Sequence, residues 1–264
     1  MRNYFIGSIL GMVMVLAVTP LVRAQSGKGA PDLTGVWDNE AGPNSPGAGI
    51  TGPGFAFGAV GRGGIPRNTF FTKNDPQPSM QPWALEKFKA NSGAIGIKDG
   101  ISADPSALDP RMSCFPPSPT QFFTIPQPFE IQQLPKQVLL LFEYDHWVRR
   151  IHMDEREHPD GYPITWMGHS TGKYDGDSLV VDTVGINDLT WLDGIGHPHT
   201  TAMHIVERFR RVDHDTLEIQ FLFDDPKAYT KPWTGKKIFQ FMPPNYQIME
   251  HINCEDYLEL GKHR

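Results

Sequence analysis

From Phe129 onward the chain sets apolar residues at alternate positions and breaks the pattern with sharp turns. Phe129 to Leu134, Gln137 to Glu143 and His146 to Met153 read as three successive strands. Thr165 to Tyr174 and Ser178 to Gly185 flank Asp175-Gly176, a strong two-residue hairpin signal. Met203 to Val212 and Thr216 to Phe223 form a second pair around Asp213-His214-Asp215. Lys236 to Phe241 and Gln247 to Cys254 end the series, and Asp32 to Trp37 reads as a strand that precedes it. This is an all-β pattern. About 8–10 short antiparallel strands without intervening helices predict an up-and-down meander closed into a barrel, wide enough for one small ligand.

The region before the meander is different. Ala41 to Arg67 is dense in Gly and Pro, and its Phe55 and Phe57 suit a loop draped over the body. Pro82 to Ala90 is the best helix, with Pro at its first position and Trp83, Leu85 and Phe88 free to dock. At the start, Arg2, an apolar stretch from Ile6 to Val18 and Val22-Arg23-Ala24 have the layout of a secretory signal peptide, too short to span a bilayer. A retained anchor is the alternative. Residues 1–24 are thus expected to be a leader. Residues 25–120 carry the first strand, irregular extension and helix, and residues 121–258 carry the barrel, the two forming one domain.

Removing the leader takes the basic residues from 24 to 22 against an unchanged 30 acids, so the formal charge goes from −6 to −8. That balance excludes nucleic acid and anionic membranes as partners, and no stable membrane insertion is expected once the leader is gone. The chain is expected in the periplasm or secreted, where Cys114 and Cys254 can pair. Closing so long a loop is worth about 4–5 kcal/mol on a chain-entropy account. Two buried thiols are the alternative.

Chemically able side chains crowd into Thr165 to Trp233, where strands normally spend inward positions on aliphatic residues. On one strand Ile205, Glu207 and Phe209 share a face, and His204, Val206 and Arg208 share the other. Glu207 is therefore expected inward, as a candidate acid or as an ion-paired carboxylate. Asp182 fits either face. His197 and His199 flank Pro198, and with Asp193 they form the candidate ligand set for a divalent metal. A metal-free base, His199 or His204, held by a carboxylate, is the other reading. His169 follows Gly168, which permits close approach. Trp166, Trp191 and Tyr144 are candidate pocket walls, and Tyr229, Lys231 and Trp233 a candidate roof over a small apolar or aromatic ligand. Gly168-His169-Ser170-Thr171-Gly172 reads as strand and not as a nucleophile elbow. No phosphate-cradling loop or dinucleotide fingerprint occurs.

Gly35-Val36-Trp37 ahead of the meander resembles the opening of lipocalin-like barrels. Thr165 to Ser170, Gly176-Asp177 with Leu179 to Thr183, Gly196 to His199, Glu207 to Arg211 and Asp225 to Trp233 together resemble a family of exported bacterial proteins, mostly uncharacterised. The likeness implies the barrel and the export, and it carries no catalytic assignment. Three functions remain open. One is a cofactor-free enzyme moving protons on a small apolar or aromatic molecule, as an isomerase, decarboxylase or other lyase. The others are a non-catalytic lipocalin-like binder and a metal-dependent enzyme on the His-Pro-His segment. Residue pattern leaves oligomeric state undefined.

Overall fold

The computed structural model describes residues 29–38, 65, 68–70, 75–94 and 109–250. The leader, nearly all of the Gly/Pro-rich stretch 41–67 and Cys254 lie outside them. Nine strands close into one barrel, each hydrogen-bonded to the next in chain order and the last to the first. They are β1 (Gly35–Asp38), β2 (Phe129–Leu134), β3 (Gln137–Phe142), β4 (Val148–His152), β5 (His169–Asp175), β6 (Ser178–Val184), β7 (His204–Asp213), β8 (Thr216–Asp224) and β9 (Trp233–Phe241). The expected Asp175-Gly176 hairpin forms, with Asp175 opposite Ser178 and Gly176 at φ +58. That angle is the one a mirror-image turn asks of its first central residue.

Nine is odd, and strands that alternate direction around a closed ring must be even in number. One neighbouring pair therefore has to run parallel. It is β4–β5, joined only through Ile151↔Ser170 and His152↔Thr171. Every other named pair is antiparallel. The unbroken antiparallel meander is thus corrected at this seam, where residues 153–168 cross from one end of the barrel to the other, as a parallel connection requires.

Two further corrections follow from closure. Residues 247–250 form no strand, because β9 already pairs with β1 and the ring offers no free edge. His146 lies in the 3-10 turn Tyr144–His146, with positive φ at Asp145 and His146, so β4 begins at Val148.

The barrel axis is packed with side chains. Phe123, in the 3-10 turn Gln121–Thr124, lies with its ring centroid within 6.0 Å of those of Phe129, Phe142, Phe209, Phe221 and Phe239. Hydrogen bonds from Ser118 to the Trp191 carbonyl (2.7 Å) and from Thr120 to the Leu192 carbonyl (2.9 Å) fix this plug. Helix α1 (Pro82–Ala94) docks on the β6–β7 and β8–β9 connections. Ala84 is buried, Asn91 donates to Gly196 O (2.9 Å) and Trp83 donates to Lys227 O (2.8 Å). Phe88 docks as expected and stacks on His197, whereas Leu85 stays exposed.

Candidate functional site

The interior and rim candidates are locked into the packing. Glu207 points inward, as its face predicts, and meets Arg149 in a buried bidentate ion pair, with Arg149 Nη1 2.8 Å from Oε1. The same guanidinium donates to Ser170 Oγ and Thr183 Oγ1. Asp193 and His197 form a wholly buried pair at 2.8 Å, and Thr69 also donates to Asp193. His199 is buried apart from them, donating from Nδ1 to Thr200 O and accepting at Nε2 from Thr190. Burial lowers its pKa. Asp193 and His197 thus hold each other while His199 bonds elsewhere, and no group of three His, Cys, Asp or Glu converges on a metal position among the described residues.

The candidate roof and walls are mostly structural in placement. Tyr229 is buried and donates to Pro198 O (2.8 Å). Burial, then the charges of Asp193 and Asp225, raise its phenol well above the usual value. Trp233 stacks on Phe223 with centroids 4.0 Å apart. Trp191 is buried in the β6–β7 connection, and Tyr144 sets its ring edge against Phe122. Lys231 lines a separate groove of about 750 Å³ outside β6–β9.

On the outer wall the remaining candidates do converge. Asp182 faces outward on β6, with His204 beside it on β7 and His169 on β5. His204 Nε2 lies 2.9 Å from both Asp182 oxygens. The fourth member, His158, comes from the crossover 153–168. Its Nε2 is 2.9 Å from Asp182 Oδ1, and its Nδ1 is 2.8 Å from His169 Nδ1. The four side chains form one hydrogen-bonded line: His204, Asp182, His158, His169.

The carboxylate decides which way this line is polarised. An ionised Asp182 can only accept, so His158 Nε2 must carry a hydrogen. In a neutral His158 the Nδ1 atom is then an acceptor. His169 Nδ1 must donate to it, which leaves His169 Nε2 with its lone pair. At one end the carboxylate and the imidazole each favour the charged form: the Asp182 hydrogen bond raises the pKa of His204. Burial opposes ionisation of Asp182, but bonds from His204 and His158 lower its pKa overall. At the other end burial, then the nearby His158, His152 and Arg156 charges, lower the pKa of His169. Groups pushed apart in this way are suited to acid and base roles at one pH.

His169 is only 5% exposed, although it points outward, because Tyr162 of the crossover covers it with centroids 4.7 Å apart. Gly168 makes the approach feasible. It adopts φ +63, and a Cβ there would sit 2.5 Å from Val184 O. Beside His169 opens a groove of about 300 Å³ whose walls include Trp147, Arg150, His152, Tyr162 and Trp166. Of the sequence candidates, His169, Asp182, His204 and Trp166 belong here. His158, Tyr162, Trp147 and Arg150 were not expected. The Pro- and Gly-containing crossover gives no periodic signal, and only the parallel seam brings it over the wall.

No protein-family model matches the sequence, and no curated protein is significantly similar to it. The fold defines the class: a closed, mostly antiparallel nine-stranded β-barrel with one α-helix among the described residues.

Proposed function

We propose that this chain is an exported, cofactor-free acid–base enzyme, an isomerase or lyase. It acts on a small apolar or aromatic molecule in the groove along the β4–β5 seam, outside the barrel. The observation that carries this reading is the hydrogen-bonded line from His204 through Asp182 and His158 to His169, ending in the groove wall. In the reaction, His169 Nε2 takes a proton from the substrate. Its own Nδ1 proton passes to His158 Nδ1, so the positive charge comes to rest on His158 beside the Asp182 carboxylate. Reversal of the same steps returns a proton to another position on the substrate or to a leaving group. Aromatic walls exclude water and orient the ring.

An interior binder finds less support, since the axis is occupied by Phe123 and the Arg149–Glu207 pair. The kinship with lipocalin-like barrels is supported by the ring of strands and by Trp37. Its indole donates to Leu33 O (2.9 Å), beneath the guanidinium of Arg211 at 5.2 Å. A Cys114–Cys254 bridge belongs to this reading of an exported chain.

The test is to incubate the mature protein with mixed small aromatic and apolar metabolites and follow mass changes. Turnover is expected, and His169→Gln is expected to lower kcat by about 10²–10⁴-fold. Turnover that survives His169→Gln unchanged would remove His169 and this reading with it.

A further inference from the structure

The groove also carries a cation, Arg150, that no described residue neutralises by a hydrogen bond or ion pair. Arg111, Arg149, Arg156, Arg208, Arg210 and Arg211 all donate to carboxylates or carbonyls. Among the described residues Arg150 has no hydrogen bond or ion pair to any of them, and it is exposed in the groove wall. Asp154 is taken by Arg156 at 2.7 Å, and Asp182 is taken by His204 and His158.

Register places Arg150 beside the base. Ile151 pairs with Ser170 across the parallel seam, so Arg150, one residue earlier on β4, comes level with His169 on β5. Both point outward, on strands about 5 Å apart. The local field is positive, and it contributes to the lowered pKa values of His152 and His169. A guanidinium that no described residue pairs, the His169 imidazole and aromatic surfaces from Trp147, Tyr162 and Trp166 thus border one small groove.

We infer that this groove selects planar carboxylates: Arg150 takes the carboxylate through two parallel N–H bonds, the aromatic walls hold the ring, and His169 faces the reacting position. A guanidinium matches a carboxylate in shape as well as charge, which an amide of the same size cannot reproduce. This inference rests on the acid–base reading for the role of His169 and stands apart from it for the role of Arg150.

The experiment uses benzoate and its neutral isostere benzamide as probes, titrated into the mature protein by calorimetry and checked by tryptophan quenching. Benzoate is expected to bind at least about tenfold tighter than benzamide. Arg150→Gln should weaken benzoate by about that factor and leave benzamide within about threefold, and Arg150→Lys should recover only part of the loss. His169→Gln should lower kcat by about 10²–10⁴-fold while leaving the benzoate Kd within about threefold. Absence of benzoate binding, equal affinity for the two probes, or an Arg150→Gln protein that binds benzoate normally overturns the carboxylate inference. Turnover undiminished in His169→Gln, with Arg150-dependent benzoate binding intact, overturns the acid–base reading and leaves this one standing.

Discussion

Glu207 and Arg149 carry opposite charges at nearly zero exposure, and desolvating both costs several kcal/mol that their attraction must offset. Ser170 and Thr183 accept further guanidinium hydrogens, so the pair is embedded in the barrel interior as a structural element. Replacing one partner strands the other. Glu207→Gln is expected to lower stability by about 3–5 kcal/mol, read as a lower urea midpoint, whereas Arg149→Met with Glu207→Leu should recover most of it. If Glu207→Gln kept the wild-type midpoint and lost turnover, Glu207 would be a chemical group instead. The inward direction of Glu207 was legible in the sequence because strand parity fixes it from Ile205 and Phe209. Its partner was not. Arg149 lies next to Arg150 in a stretch with charges on both faces, and which arginine faces Glu207 depends on how β4 packs across the barrel from β7. His158 was hidden for a related reason: its role comes from the path of the crossover, and strand periodicity is silent about that path.

At the scale of elements, the informative event is the parallel seam. All nine strands were recognised from the sequence pattern, each to within four residues at its ends, and the barrel with them, because a strand with one buried face records its parity in every second residue. Ring closure imposes a parallel pair on an odd number of strands, and alternation within a strand holds no information on its neighbour's direction. The seam shapes the candidate site. Its ladder is short, its crossover lies over the wall, and the wall's outward histidine becomes buried. Gly168 is the hinge of that arrangement, since it turns the chain into β5 at a positive φ with Val184 O in the place of a side chain. Gly168→Ala is expected to destabilise the fold by about 1–3 kcal/mol through that strain. It should also displace His169, so kcat should fall by more than the loss of folded protein explains. A Gly168→Ala enzyme with wild-type kcat per folded molecule, counted by active-site titration or circular dichroism, would show that the entry to β5 does not aim the base.

Across the whole molecule the histidines set a common pH window. His152, His169 and His199 have pKa values lowered below the ordinary 6.5, in each case by burial first. For such groups the unfolded chain takes up protons before the folded one. Their contribution to stability is therefore complete above 6.5 and is lost as pH falls from 6.5 toward the lowered values. His204 works in the opposite sense, since its hydrogen bond to Asp182 raises its pKa. Its contribution is complete below 6.5 and is lost as pH rises through the raised value, and its partial exposure keeps it small. The lowered carboxylates, Asp154 at about 2 and Asp177 and Asp182 below 3.8, lose their contributions only at lower pH. Between pH 7.5 and 5 three imidazoles thus act in one sense and one in the other. The urea midpoint is expected to fall as pH drops through that range, with a slope of about 1.4 kcal/mol per pH unit for each proton the unfolded chain binds in excess. His199→Gln, which keeps an acceptor for Thr190, should flatten the slope because His199 is the most deeply enclosed of the three. Activity should follow the same direction for a different reason. His169 is a base only when neutral, so kcat should stay level through neutrality and fall on an acid limb below 6.5, with Asp182 ionised throughout. An acid limb above 6.5 would mean that the working base is a group with a raised pKa, and would transfer the role from His169 to His204.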